Sequence, residues 1–154
     1  MDDYQKLVAQ ALMTVDEILP WDLEAMMQDT SLILLDVREP NEFAMMHIQH
    51  SINVPRGLLE GACCWNYDDT EPRLANARNQ PIVVICRSGN RSALAAFTLQ
   101  QMGFSDVKSL KLGIKGWNDS DMPMLNQQGE IIDVDEADVW LNTPVAEDKL
   151  KPKQ

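Results

Sequence analysis

Pro81-Ile82-Val83-Val84-Ile85-Cys86-Arg87-Ser88-Gly89-Asn90-Arg91-Ser92-Ala93-Leu94-Ala95-Ala96 is the stretch that decides how this chain is read. Its first part is an unbroken run of apolar, largely β-branched residues, which predicts a strand buried on both faces of a sheet. A polar turn with a glycine follows at once, and the alanine- and leucine-rich segment beyond it predicts a helix capped at its C-terminus by Gly103. Strand, tight loop and helix place Cys86 just past the carboxyl end of a parallel strand, where sheets of this kind bind ligands. The loop closes on a helix N-terminus, whose unpaired N–H groups and dipole favour an anion such as a thiolate.

Outward from this core the pattern repeats. Leu32-Ile33-Leu34-Leu35-Asp36-Val37 is a second buried strand with a carboxylate near its end; Glu39-Pro40-Asn41 opens a short helix through Met45, and Ser51 to Val54 reads as a further strand. Upstream, Tyr4, Leu7, Val8, Ala11 and Leu12 form one helical stripe, Val15 to Leu19 is extended, and Pro20 opens a helix ending near Asp29-Thr30. Gly61 to Gln80 is loop-like. Downstream come a strand at Val107 to Leu110 and a short helix at Gly113-Ile114-Lys115-Gly116-Trp117. Strands alternating with helices imply an α/β fold, a mostly parallel five-stranded sheet with helices on both faces. The expected organisation is an N-terminal helix over 1–14, the α/β domain over 15–124 and an acidic, partly flexible extension over 125–154. In that extension Ile131-Ile132-Asp133-Val134 is strand-like, and Lys151-Pro152-Lys153-Gln154 is a polar end expected to fray.

Composition narrows the partners. A chain of 154 residues suits one domain, and no apolar run is long enough to span a membrane. A net charge of -11 repels phosphate backbones and anionic lipid, which argues against nucleic acid and membrane partners. Met1-Asp2-Asp3-Tyr4 lacks the basic-then-apolar pattern of an export signal, and three cysteines, two of them adjacent, do not make a disulfide framework. Both features lead to the expectation of a cytoplasmic protein.

Between Glu71 and Asp106 there is no acid, whereas Arg73, Arg78, Arg87 and Arg91 all fall there, so the sequence predicts a cationic surround for Cys86. Cysteine loops that handle phosphate place their arginine one position further from the cysteine than Arg91 stands from Cys86. The tighter ring suits a single sulfur atom added to Cys86 better than a phosphoryl group.

Leu35-Asp36-Val37-Arg38 followed by Glu42-Phe43, His47-Ile48 and Asn53-Val54-Pro55 resembles the first signature of the rhodanese family. Cys86-Arg87-Ser88-Gly89-Asn90-Arg91-Ser92 resembles its active loop, and Gly113-Ile114-Lys115-Gly116-Trp117 with Met122-Pro123 is similar to its closing motif. The resemblance covers roughly Val15 to Pro123. It departs from the family pattern at Met46, where glycine is usual, at Gln49-His50, where Pro-Gly is usual, and at Lys115. It implies a rhodanese-like sulfurtransferase in which Cys86 takes a sulfane sulfur from a small anionic donor, thiosulfate or polysulfide, as a persulfide. The sulfur then passes to a thiol, cyanide or protein acceptor. Arg87, Ser88, Gly89, Asn90 and Arg91 are the expected substrate-binding residues: successive amides point at the persulfide, and Arg87 with Arg91 neutralises the donor. Asp36 and Ser92 are supporting candidates. No metal or organic cofactor is called for.

Other residues carry two readings. Asp36 either orients the active loop or is a structural carboxylate paired with Arg38 or with amides, and Arg38 with Glu42 is expected as a structural ion pair. His47 is expected to be structural, because a general base must reach the proton it takes. Cys63-Cys64 beside Trp65 is either a second redox site or two thiols in a loop, and the bland reading is favoured because adjacent cysteines oxidise to a strained ring. Met26-Met27 and Met45-Met46 are expected core filler and Trp117 core closure. Two competing functions stand beside sulfur transfer: a binding or sulfur-sensing module without turnover, and phosphatase chemistry, which the loop length opposes.

Overall fold

The structure is a computed structural model and describes residues 1–153. In chain order its elements are α1 (Asp3–Ala11), β1 (Asp16–Ile18), α2 (Pro20–Met26), β2 (Ile33–Asp36), α3 (Pro40–Met45), β3 (Ile52–Asn53), a 3-10 turn (Arg56–Leu58), α4 (Leu59–Ala62), α5 (Pro72–Ala75), β4 (Ile82–Ile85), α6 (Asn90–Gln101), β5 (Val107–Leu110), α7 (Gly113–Asp119) and α8 (Val134–Leu141), with a 3-10 turn at Glu147–Lys149. The five strands form one sheet in the order β1-β5-β4-β2-β3, and every pairing is parallel. The expectation of a mostly parallel sheet is therefore met with no antiparallel strand in it.

β4 lies at the centre of the sheet and all four of its residues are buried. Its side chains alternate between two hydrophobic clusters. Ile82 and Val84 pack on one face with Leu59, Leu74 and Leu99, while Val83 and Ile85 pack on the other with Leu23, Ile114 and Trp117. Period-two alternation buries both faces because helices cover both. A small third cluster, Val8 and Ala11 against Ala93, seats α1 on α6. Only the inner edge of the predicted α1 stripe is buried; Tyr4 and Leu7 at its outer end are exposed.

The largest departures from expectation lie in two segments. The loop-like stretch from Gly61 to Gln80 contains α5, a single turn opened by Glu71, whose carboxylate accepts from the Arg73 amide. The strand-like run Ile131-Ile132-Asp133-Val134 is no strand. Ile131 makes one isolated bridge to Leu125, Asp133 caps a helix by accepting from the Glu136 amide, and Val134 begins α8. Through Ala137 and Leu141, α8 joins the same hydrophobic cluster as Trp117, so the segment after 124 contributes to the core. Among the described residues no helix is long and apolar enough to cross a membrane.

Candidate active site

The site forms where β4 ends and α6 begins. Cys86 directly follows Ile85, and the chain turns through Arg87, Ser88 and Gly89 before Asn90 starts α6. Gly89 adopts a left-handed backbone, φ +100°, which L side chains rarely enter and which glycine supplies without strain. That turn aims the Gly89 amide at the Cys86 sulfur, Sγ, at 3.1 Å. The Ser92 amide reaches Sγ at 3.3 Å from the first turn of α6, and the thiol donates to the Ser92 hydroxyl at 3.3 Å. The Ser92 hydroxyl in turn shares a 2.8 Å hydrogen bond with that of Ser109 on β5, and both serines are fully buried. Cys86 is 1% exposed. The sulfur thus sits at the base of a loop with two backbone amides aimed at it, fixed donors that suit an anion at that position.

A second motif holds the loop from behind. The amides of Ile114 and Lys115, in the first turn of α7, donate to the carbonyls of Cys86 at 2.9 Å and Arg87 at 3.1 Å. The carbonyls point away from the sulfur because α7 binds them, which leaves amides on the sulfur side. Gly113 is required for this approach: a Cβ there would stand well inside van der Waals contact of both carbonyl groups. The glycine-rich closing motif is therefore part of the site's support, a role its sequence position alone does not reveal.

The charged residues are arranged differently from expectation. Asp36 is fully buried at the end of β2 and is taken by Arg38, whose Nη2 lies 2.9 Å from Oδ2, and by the Arg38 amide at 3.0 Å. The Asp36 carboxylate is spent on Arg38, and among the described residues it makes no hydrogen bond to the active loop. The same Arg38 guanidinium donates to the Met46 carbonyl at 2.6 Å, and Asn53 Nδ2 ties the Asp36 and Arg38 carbonyls. The expected Arg38–Glu42 ion pair is absent. Instead both Glu42 oxygens accept from Arg91, at 2.8 and 3.0 Å. Burial alone would raise the Glu42 carboxyl, but the Arg91 hydrogen bonds and charge, helped by the Glu39 amide and Arg38, hold it below the usual range. Hydrogen bonding to Glu42 likewise raises the Arg91 guanidinium. Arg91 therefore braces the loop against α3, and its charge is already partnered.

Arg87 is tied as well, its Nη2 donating to the Leu141 carbonyl at the end of α8. This link lies outside anything the sequence signals. Of the expected run of amides from Arg87 to Arg91, only that of Gly89 reaches Sγ in this structure, joined by the Ser92 amide from beyond the predicted run. Ser88 is exposed and Asn90 half-buried at the start of α6. The predicted cationic surround is also smaller than expected. Arg73 pairs with Glu71 at 2.9 Å, and Arg78 stacks on the Phe104 ring 4.3 Å from its centre.

His47 is held by the carbonyl of Phe43 at 2.8 Å and stacks on its ring, while its backbone pairs with Leu125. It anchors the segment leading to α8, in agreement with a structural role. Cys63 is buried and Cys64 half-buried, and both are free thiols. Burial pushes the Cys63 thiol up to about 11. Met46 is buried in the core, whereas Met45 is exposed and is not filler. Among the described residues no cluster of metal-ligating side chains occurs.

A strand-loop-helix site with a buried cysteine at the carboxyl edge of a five-stranded parallel sheet defines a class of cysteine-loop α/β proteins. Residues 19–120 match the family described as "Rhodanese-like domain", and the chain belongs to that family. A Bacillus subtilis protein named "Putative sulfur carrier protein YrkF" is 36% identical over 91 residues, 58% of this chain and 43% of the relative. The chain spans 43, 65 and 66% of the lengths of three curated relatives that it matches. The solved polysulfide-sulfur transferase of Wolinella succinogenes superposes with a TM-score of 0.62 at 25% identity, covering 80% of this chain and 87% of the other. A Rhodopseudomonas palustris protein, described as of unknown function and a possible tyrosine phosphatase, superposes with a TM-score of 0.72 at 25% identity, covering 80% and 95%.

Proposed function

We propose that the protein is a sulfurtransferase that carries sulfane sulfur on Cys86. The Cys86 thiolate attacks the outer sulfur of thiosulfate or a polysulfide. A new S–S bond forms as the donor's own S–S bond breaks, and sulfite or the shortened polysulfide leaves with the bonding electron pair. A nucleophilic acceptor, a thiol, cyanide or a protein thiol, then attacks the outer sulfur of the persulfide, and Cys86 departs as the thiolate. No external oxidant or reductant enters this cycle.

The observation that carries the reading is the convergence of the Gly89 and Ser92 amides on one sulfur atom at 3.1 and 3.3 Å. Fixed dipoles of this kind stabilise a developing sulfur anion without reorganising when it forms. Membership of the rhodanese-like family, with sulfur-carrier and sulfurtransferase names among the relatives, supports a role in sulfur transfer. Arg87 keeps donors beyond the one used at Leu141 and is the residue proposed to recruit the anionic donor, while the Ser88, Gly89 and Asn90 backbone shapes the loop around it. Phosphatase chemistry, the description attached to the Rhodopseudomonas palustris neighbour, is disfavoured here. Arg91 stands five positions after Cys86 and its guanidinium is committed to Glu42.

The deciding measurement is the intact mass of the purified protein before and after exposure to thiosulfate or polysulfide, followed by reduction with a thiol. The protein should gain one sulfur atom, reversibly, and Cys86→Ser should gain none while keeping its fold by circular dichroism. Transfer above background in Cys86→Ser would remove Cys86 as the carrier. Loading without turnover on any acceptor would favour a sulfur-sensing module instead.

A further inference from the structure

Two cavities of about 280 Å³ each flank the exposed side chains of Met45 on α3 and Trp140 on α8, which line both. The first cavity runs from this pair to Arg87 of the active loop and is also lined by Glu42 and Leu141. The second runs the other way, to Glu130, Asp133 and Glu136, with the exposed Ile131 on its wall. The two cavities share Met45, Met46 and Trp140 as a common wall, so they lie end to end as a groove with an apolar middle, Arg87, the residue after Cys86, at one end and three carboxylates at the other. No lysine or arginine occurs between Lys115 and Lys149, so no neighbouring base in that segment offsets these acids.

We propose, on the basis of the sulfur-transfer reading above, that this groove docks the acceptor: a polypeptide carrying basic residues, an apolar anchor and a thiol in that order along the groove. The basic residues meet Glu130, Asp133 and Glu136, the anchor sits on Met45 and Trp140, and the incoming thiolate lies at the Arg87 end. The polarity of the groove dictates that orientation, because the acceptor's nucleophile is an anion and the opposite end repels anions. Apolar contact supplies holding and charge supplies partner choice. Loss of the acids leaves the Cys86 chemistry in place and removes the preference.

The test uses the full chain and two synthetic peptides that differ only in charge, one lysine-rich and one glutamate-rich, each with a central leucine and a terminal cysteine. Binding is followed by calorimetry, which needs no turnover. Sulfur transfer from thiosulfate-loaded protein is followed separately with each peptide and with cyanide. The lysine-rich peptide should bind and accept sulfur about tenfold better than the glutamate-rich one at low salt, and the ratio should shrink as salt is added. Glu130→Lys with Glu136→Lys should abolish or reverse that ratio, and Trp140→Ala should weaken binding of both peptides. All three substitutions are at exposed positions, and fold is checked by circular dichroism. Transfer to cyanide with no peptide preference would overturn the docking proposal and leave the sulfurtransferase reading standing. Peptide binding with the predicted charge preference but no transfer to anything would uphold the groove and overturn the sulfurtransferase reading.

Discussion

A methyl group on Gly113 would collide with the carbonyls of Cys86 and Arg87, and the residue sits at φ +58°, a conformation that L side chains rarely adopt. Gly113→Ala is therefore expected to cost about 3 kcal/mol in chemical denaturation and to lower sulfur transfer in the fraction that stays folded, because α7 then releases the loop carbonyls. The neighbouring thiols differ in another way. Burial raises Cys63 from 9.0 to about 11, so above pH 9 the unfolded chain ionises there while the folded chain does not. The folded state then binds more protons, and stability falls as pH rises from about 9 to about 11. In Cys63→Ala that alkaline loss should diminish by about 2 kcal/mol relative to the parent, measured as the pH dependence of the urea midpoint. An unchanged alkaline limb would place the loss at other groups.

Between elements, the clasp that matters most to the site joins α3 to α6 through Glu42 and Arg91. Glu42 is held below the ordinary carboxylate range, so its contribution is present above that range and is lost as pH falls through its lowered value. Glu42→Gln should be about 1 kcal/mol less stable near neutral pH, and the difference should vanish on acidification, as read from melting temperature against pH. Leu141 is 4% exposed in the cluster that holds Trp117. Leu141→Ala should cost about 2–4 kcal/mol and loosen α8 from Arg87, seen as faster amide exchange over 134–141. The sequence made β4 and α6 plain because a continuous apolar run and an alanine-rich segment admit few other readings. It hid α8 because that helix buries only Ala137 and Leu141 among acids, while the Ile131-Ile132 pair ahead of it looks like a strand. The Arg38–Glu42 pairing failed for a local reason. Their spacing is helical, but α3 starts at Pro40, so Arg38 lies outside the helix and turns back to Asp36. Cys86, Gly89 and Ser92 were legible as a loop motif. Ser109 was not, since a serine in a strand carries no sign of what it faces, and the Leu141 carbonyl has no side-chain signature at all.

At the scale of the molecule, a chain of net charge -11 sets two arginines on the wall of the groove, Arg38, which is buried on Asp36, and Arg87, the residue after Cys86. Arg87→Ala should slow loading by the dianionic donor thiosulfate more than loading by a neutral trisulfide, and the gap should narrow with salt in stopped-flow measurements. Equal losses for both donors at every ionic strength would assign Arg87 a purely structural part. Aryl phosphate hydrolysis should be absent, because Arg91, five positions after Cys86, is committed to Glu42 and leaves a ring too tight for a phosphoryl group. The depth of the cysteine has a further consequence, for selectivity by size. With only 1% of Cys86 exposed, the sulfur is expected to be reached by an atom on a thin stem and not by a thick one. A terminal sulfur should pass, and a branched disulfide such as oxidised glutathione should not. A loop of this depth would keep bulky mixed disulfides off the thiol, and iodoacetamide should outpace a bulky maleimide at Cys86 by a margin that disappears on unfolding.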